Sequence, residues 1–258
     1  MIVLGEKLNS SIPSTLEAIQ SGDDQALITL CTTQESCGAH YLDINTAIAG
    51  DDELSAMLHI IDLAQKHTSC GIMLDSPNAE VIREAIAHVQ DRPIIINSIT
   101  LDERHELIEV ARKYDAGLVA LPLSENGIPE FPEERLDNAK TLVELITEGG
   151  LPLDHIYLDL IAEALAVNGN AALNAIETAR LIRREFPDIH LTCGLSNISF
   201  GLPKRVHINT AFIPALMSAG LDSAILDITN ERTRAAVISS RALCGLDEYC
   251  MEYIEAFR

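Results

Sequence analysis

The sequence predicts a single (β/α)8 (TIM) barrel spanning residues 1–258. Three observations point there. Eight short apolar runs, most rich in β-branched residues, alternate with longer stretches whose apolar residues recur every three or four positions. The 221 residues from Glu6 to Asp227 divide into seven intervals of about 32. Eight such units fill the ~250 residues usual for this barrel. Asp, Asn and Glu gather where the apolar runs end.

The predicted strands, in order, are IVLGE (2–6), HYLDIN (40–45), GIMLDS (71–76), PIIINS (93–98), GLVALP (117–122), HIYLDL (155–160), IHLTCG (189–194) and SAILDI (223–228). Strands covered by helices on one side and packed inside a barrel on the other read as continuous apolar runs, as PIIINS and GLVALP do. Each run but the first follows a helical pattern. In 52–67, Leu54, Met57, Leu58, Ile61 and Ala64 share one face. In 170–186, Leu173, Ile176, Ala179, Leu181 and Ile182 do. Asn78, Asp102 and Asn170 stand where helix N-caps are needed. A doubly wound sheet is the main rival. It usually carries a Gly-rich turn after its first strand, and GEKLNSS is not one. The segment SENGIPEFPEER (124–135) is the long Pro/Gly-bearing stretch, either a lid or an ordered excursion.

Composition narrows the function classes. Hydrophobic residues make up 47% of the 258, enough for a large core. Against 39 Asp and Glu stand 18 Lys and Arg, a net charge of −21. Nucleic acids and anionic membranes are bound through Lys and Arg, so neither is an expected partner. Trp is absent and aromatics are 4%, which disfavours a stacking surface. No apolar run reaches the ~18 residues that span a bilayer. The start, MIVLGEKLNSS, lacks the basic and apolar regions of a signal peptide. A cytoplasmic protein is expected, its six cysteines reduced and mostly in the core.

In a β/α barrel the carboxyl ends of all strands face one side, where active sites are built. Glu6 and Asn9 follow strand one, Asp43 and Asn45 close strand two, and Asp75 and Asn78 close strand three. Asn97 and Ser98 close strand four, Asp159 strand six, Ser196 and Asn197 follow strand seven, and Asp227 ends strand eight. Any one of these reads equally as a cap for the next helix. Seven polar ends together are harder to assign to capping. The eight histidines are scattered, with His40, His155 and His190 at strand starts, so no metal is expected. No G-x-S-x-G or P-loop supports nucleophilic or phosphoryl-transfer chemistry. A ring of carboxylates and carboxamides suits a flat, nitrogen-rich ring, whose N–H groups a carboxylate accepts and whose mixed edge a carboxamide matches.

The pieces GEKLN, DIN, LDSPN, INSIT, YLDL and GLSNISFGLPKRVHIN resemble the pterin-binding methyltransferases. More narrowly, they resemble the methyltetrahydrofolate:corrinoid protein methyltransferases, β/α barrels related to the folate-binding part of cobalamin-dependent methionine synthase. The resemblance implies methyl transfer between 5-methyltetrahydrofolate and the cobalt of a corrinoid, in either direction, with no covalent protein intermediate. It implies that Asp75, Asn97 and Asp159 hydrogen-bond the pterin and that Asn197 lies beside the methyl-bearing nitrogen. Gly194 and Ser196 shape the adjoining loop, and Arg205 lies near the folate. Glu6, Asn9, Asp43 and Asn45 match the family's first two strands, as ligand contacts or as cavity floor. No D-x-H-x-x-G pattern is present, so the cobalamin is expected on a separate corrinoid protein. The resemblance also implies a homodimer; the apolar, weakly charged segments 208–221 and 241–254 are either its contacts or helices packed on their own barrel. A non-catalytic folate-binding module and a dihydropteroate synthase-like enzyme are the alternatives. The latter's strand-one asparagine loop and strand-seven basic pattern are not evident.

Overall fold

Strand β1 (Ile2–Asn9) pairs in parallel with β2 (Tyr41–Asn45) on one side and β8 (Ser223–Leu226) on the other. This is a computed structural model, describing residues 1–258 apart from the side chains at positions 50 and 51. From β2 the sheet continues through β3 (Gly71–Asp75), β4 (Ile94–Ile99), β5 (Gly117–Ala120) and β6 (Ile156–Asp159) to β7 (His190–Thr192). Gly194 and Ile225 form a parallel bridge, and the Ile225 N–H donates to the Cys193 carbonyl at 3.0 Å. The eight strands therefore close into a (β/α)8 barrel. Closure leaves no sheet edge, which is why short strands of three to five residues suffice in most of the ring.

Leu4, Met73, Ile95, Val119 and Tyr157 pack inside the barrel. The opposite faces of the strands pack against the helices in a second, larger core. Toward the strand starts the rings of Tyr41 and Tyr157 fill the interior. A Cβ on Gly71 would stand 2.4 Å from the Tyr41 ring, and one on Gly117 2.7 Å from the Tyr157 ring. His190 stacks on Tyr157 with ring centroids 4.5 Å apart. Polar residues of the same strands are thereby left to the other end.

The connections are helices α1 (Pro13–Ser21), α2 (Asp24–Ser36), α3 (Glu53–His67), α4 (Ala79–Ile86), α5 (Glu106–Lys113), α6 (Pro132–Glu148), α7 (Ala171–Glu185), α8 (Val206–Ala219) and α9 (Glu231–Leu243), with α10 (Met251–Ala256) following. The first crossover holds two helices because Gly22 turns left-handed (φ 65°) and Asp23 caps α2, accepting from the Ala26 N–H at 3.0 Å. Asn78 caps α4 as expected, accepting from the Glu80 N–H at 3.0 Å. Asp102 does not cap α5; its carboxylate accepts from the Glu125 N–H at 2.7 Å and ties two loops together. Asn170 stands at the N-cap of α7 without a side-chain cap bond.

Other expectations are corrected in detail. Leu173 is exposed, because α7 turns its small residues Ala171, Ala175, Thr178 and Ala179 inward, with Ile182. Strand β1 runs on to Asn9 through a bulge between Gly5 and Leu8. The bulge is held from outside: the Lys7 N–H donates to Oε1 of buried Gln34 at 2.9 Å, and Thr15 Oγ1 donates to the Lys7 carbonyl at 2.9 Å. Strand β7 stops at Thr192, because Leu195–Ser199 winds into a 3-10 turn. Residues 124–135 form an ordered excursion in which Ser124 and Gly127 pair across a turn, and α6 begins at Pro132. Cys31, Cys70 and Cys193 are buried, but Cys250 is exposed. Among the described residues, no helix is long and apolar enough to cross a membrane.

Candidate active site

Strand register brings the polar strand ends together. Asn9 pairs with Asn45, Asn45 with Asp75, and Asp75 with Asn97, one continuous row across β1 to β4. Asp159 pairs with Thr192 at the top of β6 and β7. The side chains of the row interact: Asn45 Nδ2 donates to Asp75 Oδ2 at 2.7 Å. Asn45 Oδ1 accepts from the Ala47 N–H at 3.1 Å, which fixes the amide's orientation. Asn9 is turned to its own loop, its Oδ1 accepting from the Ser11 N–H at 2.9 Å. Asn97 is half-buried beside Asp75.

Below this row lies Asp43, only 2% exposed, with Oδ1 lacking any hydrogen-bond partner. Burial, then the carboxylates of Asp75 and Glu6, push its pKa well above the usual range. A carboxyl in that position resists ionisation, because burial and like charges both disfavour its charged form. Burial also raises Asp75, against the opposing pull of the Asn45 hydrogen bond and the Arg104 charge. Glu6 is raised by burial too, although Ser196 Oγ donates to both of its oxygens at 3.0 Å. Asp159 is pushed up to about 6 by burial, opposed by the Ile161 N–H and by Arg135. Four carboxyls that resist ionisation, around one barrel mouth, make a site poised to receive N–H donors or positive charge.

Across the mouth, the loop after β7 brings Gly194, Ser196 and Asn197 to the rim. Asn197 is exposed and its amide folds over Gly194, where a Cβ would stand 2.8 Å from Nδ2. Arg205 does not reach across the site. Its guanidinium donates to the Ser196 carbonyl and, from Nε at 3.0 Å, to Ser199 Oγ, so it braces the loop that carries Asn197. Phe200, exposed, lies 5.9 Å beneath the same guanidinium.

Two cationic side chains at this end were not singled out in the sequence. Lys7 Nζ pairs with Asp227 Oδ2 at 2.7 Å, a contact that the β1 bulge makes possible. Arg135 is fully buried beside the β6 loop. Its sequence signal was available: with Ala139, Leu142, Val143 and Ile146 it lies on the buried face of α6, a place where an arginine needs a partner. His40, His155 and His190 lie at strand starts and bond backbone or Asp222 there. Among the described residues no group of three or more His, Cys, Asp or Glu is arranged to hold a metal ion.

Residues 5–227 match the family of pterin binding enzymes. The whole chain is 33% identical, over 263 aligned positions covering 96% of the relative, to a methylcorrinoid:tetrahydrofolate methyltransferase of Eubacterium limosum. Over 88% of its length it is 28% identical to a methionine synthase of Mycobacterium tuberculosis, of which it spans only 20%. Among solved structures it resembles the Yersinia pestis DHPS, with a TM-score of 0.68 at 15% identity over 95% of this chain and 94% of that one, a likeness of fold.

Proposed function

The chain belongs to the pterin binding enzyme family, and on that premise we propose that it moves a methyl group between N5 of tetrahydrofolate and the cobalt of a corrinoid carried by a separate protein. The full-length likeness to a methylcorrinoid:tetrahydrofolate methyltransferase supports this reading. The observation that supports it at the site is the polar row Asn45–Asp75–Asn97 at the strand ends, with Asn197 on the loop after β7 at the same end of the barrel.

In this reading Asp75 and Asp159 accept N–H groups from the amino-pyrimidine edge, and Asn97 both donates and accepts. Asn45 holds Asp75 in place through its 2.7 Å bond. Asp43 beneath them is held against ionisation by its burial and by the neighbouring Asp75 and Glu6 carboxylates. The methyl group leaves a tertiary amine, a poor leaving group, so a proton must reach N5 as the carbon–nitrogen bond breaks. In that direction methyltetrahydrofolate, Co(I) and a proton become tetrahydrofolate and methyl-Co(III). Asn197 faces the nitrogen whose charge changes, and an amide can turn either its oxygen or its NH2 toward it. The attacking atom is the partner's cobalt, so no protein nucleophile and no covalent protein intermediate is required. Transfer is reversible, and the supply of methylated corrinoid or methylated folate sets its direction.

The corrinoid protein sits over the mouth, against exposed apolar side chains of the βα loops: Ile48, Ile128, Phe131, Val167 and Phe200. Two copies of the chain pair through the tail, where Leu243, Tyr249, Met251 and Phe257 are exposed. The segment 208–221 buries Phe212, Ile213, Leu216 and Met217 on its own barrel instead. A monomer by light scattering at micromolar concentration would remove the pairing.

Titration with tetrahydrofolate, alongside an assay for dihydropteroate formation, tests the substrate assignment. Saturable binding with no dihydropteroate formed is the expected result. Dihydropteroate formation would replace the reading with the synthase alternative.

A further inference from the structure

The backbone after Asp159 turns in a way that its residues do not favour. Ile161 has φ 50°, in the left-handed region, where a β-branched side chain crowds its own backbone. Such a conformation persists only where surrounding contacts hold it. Its N–H donates to Asp159 Oδ1 at 2.6 Å. Its carbonyl, and that of Leu160, accept from Arg135 Nη1 at 3.1 and 3.2 Å. Arg135 Nε donates to the Pro129 carbonyl at 3.0 Å, and Nη2 pairs with Glu163 Oε2 at 2.5 Å.

A fully buried guanidinium is thus bonded on all three nitrogens to backbone or carboxylate oxygens of the two loops flanking Asp159. Its planar fork fixes directions as well as charge, which an ammonium cannot reproduce. We propose that Arg135 is the positioning residue for Asp159: by clamping the Leu160 and Ile161 carbonyls it keeps Ile161 left-handed, so that the Ile161 N–H orients the carboxyl toward the barrel mouth. This rests on the reading in which Asp159 meets the pterin edge.

The clamp explains why the strain is kept. A relaxed loop would withdraw the Ile161 N–H, and Asp159 would lose both its backbone donor and its orientation. The charged or titratable groups that bear on Asp159 are Arg135 from α6, the Cys193 thiol just after β7 and, through its pair with Arg135, Glu163. Only Arg135 among them favours the ionised carboxyl.

Arg135→Met and Arg135→Lys, each alone and with Ile161→Gly, test the proposal. Two readouts are taken: tetrahydrofolate affinity, and hydrogen exchange of the residue-161 amide in the folate-free protein. Losing the clamp is expected to weaken binding about tenfold or more and to speed exchange at residue 161 while the strands keep their protection. Glycine occupies φ 50° without crowding, so Ile161→Gly is expected to restore most of the affinity in the Arg135→Met and Arg135→Lys backgrounds. A merely structural role would not show that rescue. Wild-type affinity and slow exchange in the Arg135 variants would overturn the proposal, as would a loss of affinity that glycine leaves unrepaired. Failure of the wild-type protein to bind tetrahydrofolate would overturn the functional reading instead, and the exchange rate would still decide the clamp.

Discussion

The amide of Asn197 lies so close over Gly194 that a methyl group on the glycine would stand 2.8 Å from Nδ2. Glycine at 194 is therefore part of how Asn197 is placed. Gly194→Ala should push the amide aside without unfolding the barrel, since the obstructing atom is the end of a flexible side chain. The expected outcome is a methyl-transfer rate lowered by roughly 10-fold or more, toward that of the Asn197 deletion. An unchanged melting temperature, with the rate measured on the same sample, checks that the effect is local.

Asn197→Ala removes the amide itself. If it acts chiefly as charge changes at the ring nitrogen, the loss falls on rate: about 10²–10³ in single-turnover transfer at saturating methyltetrahydrofolate. Tetrahydrofolate affinity, from a binding isotherm, should change little. Equal damage to both would make Asn197 a loop residue only.

Asp75→Asn and Asp159→Asn keep shape and lose charge. Each should weaken tetrahydrofolate binding by about 1.5–3 kcal/mol, the range for hydrogen bonds to charged groups. Calorimetric titration measures it directly. Wild-type affinity in both variants would remove them from the ring-binding site.

Asp159 should also make stability depend on pH. Its folded pKa, about 6, lies above the ordinary aspartate value of 3.8. Between those values the folded state binds more protons than the unfolded one, so stability falls as pH rises through that window. Asp159→Asn should thus be more stable than wild type by a margin that widens by about 1–2 kcal/mol from about pH 5 to about pH 7.5. Urea unfolding at both pH values reads the difference. A site that binds its ligand with carboxyls that resist ionisation gives up stability in the empty protein.

Much of this was legible in the chain because period and position carry it. The eight apolar runs coincide with the eight strands to within a few residues at each end, and the polar row follows once the strands lie in parallel register. What escaped depends on tertiary contact. The β1 bulge needs Gln34, nearly 30 residues away along the chain, to receive the Lys7 N–H. The left-handed Ile161 contradicts its own side chain, and its carbonyl is held by Arg135 from helix α6. Leu173 fits an apolar stripe by spacing, but the small residues of α7 take the closer packing. Asp102 has the residue type of a cap and spends its carboxylate on Glu125 instead.

Mixing the purified protein with 5-methyltetrahydrofolate and cobalamin held as Co(I), and following methylcobalamin by its absorbance, tests methyl transfer most directly. The expected result is methylcobalamin formed at a rate proportional to protein, with the reverse reaction seen from methylcobalamin and tetrahydrofolate. Tight folate binding without transfer in either direction, including with added corrinoid proteins, would contradict it and leave a folate-binding module.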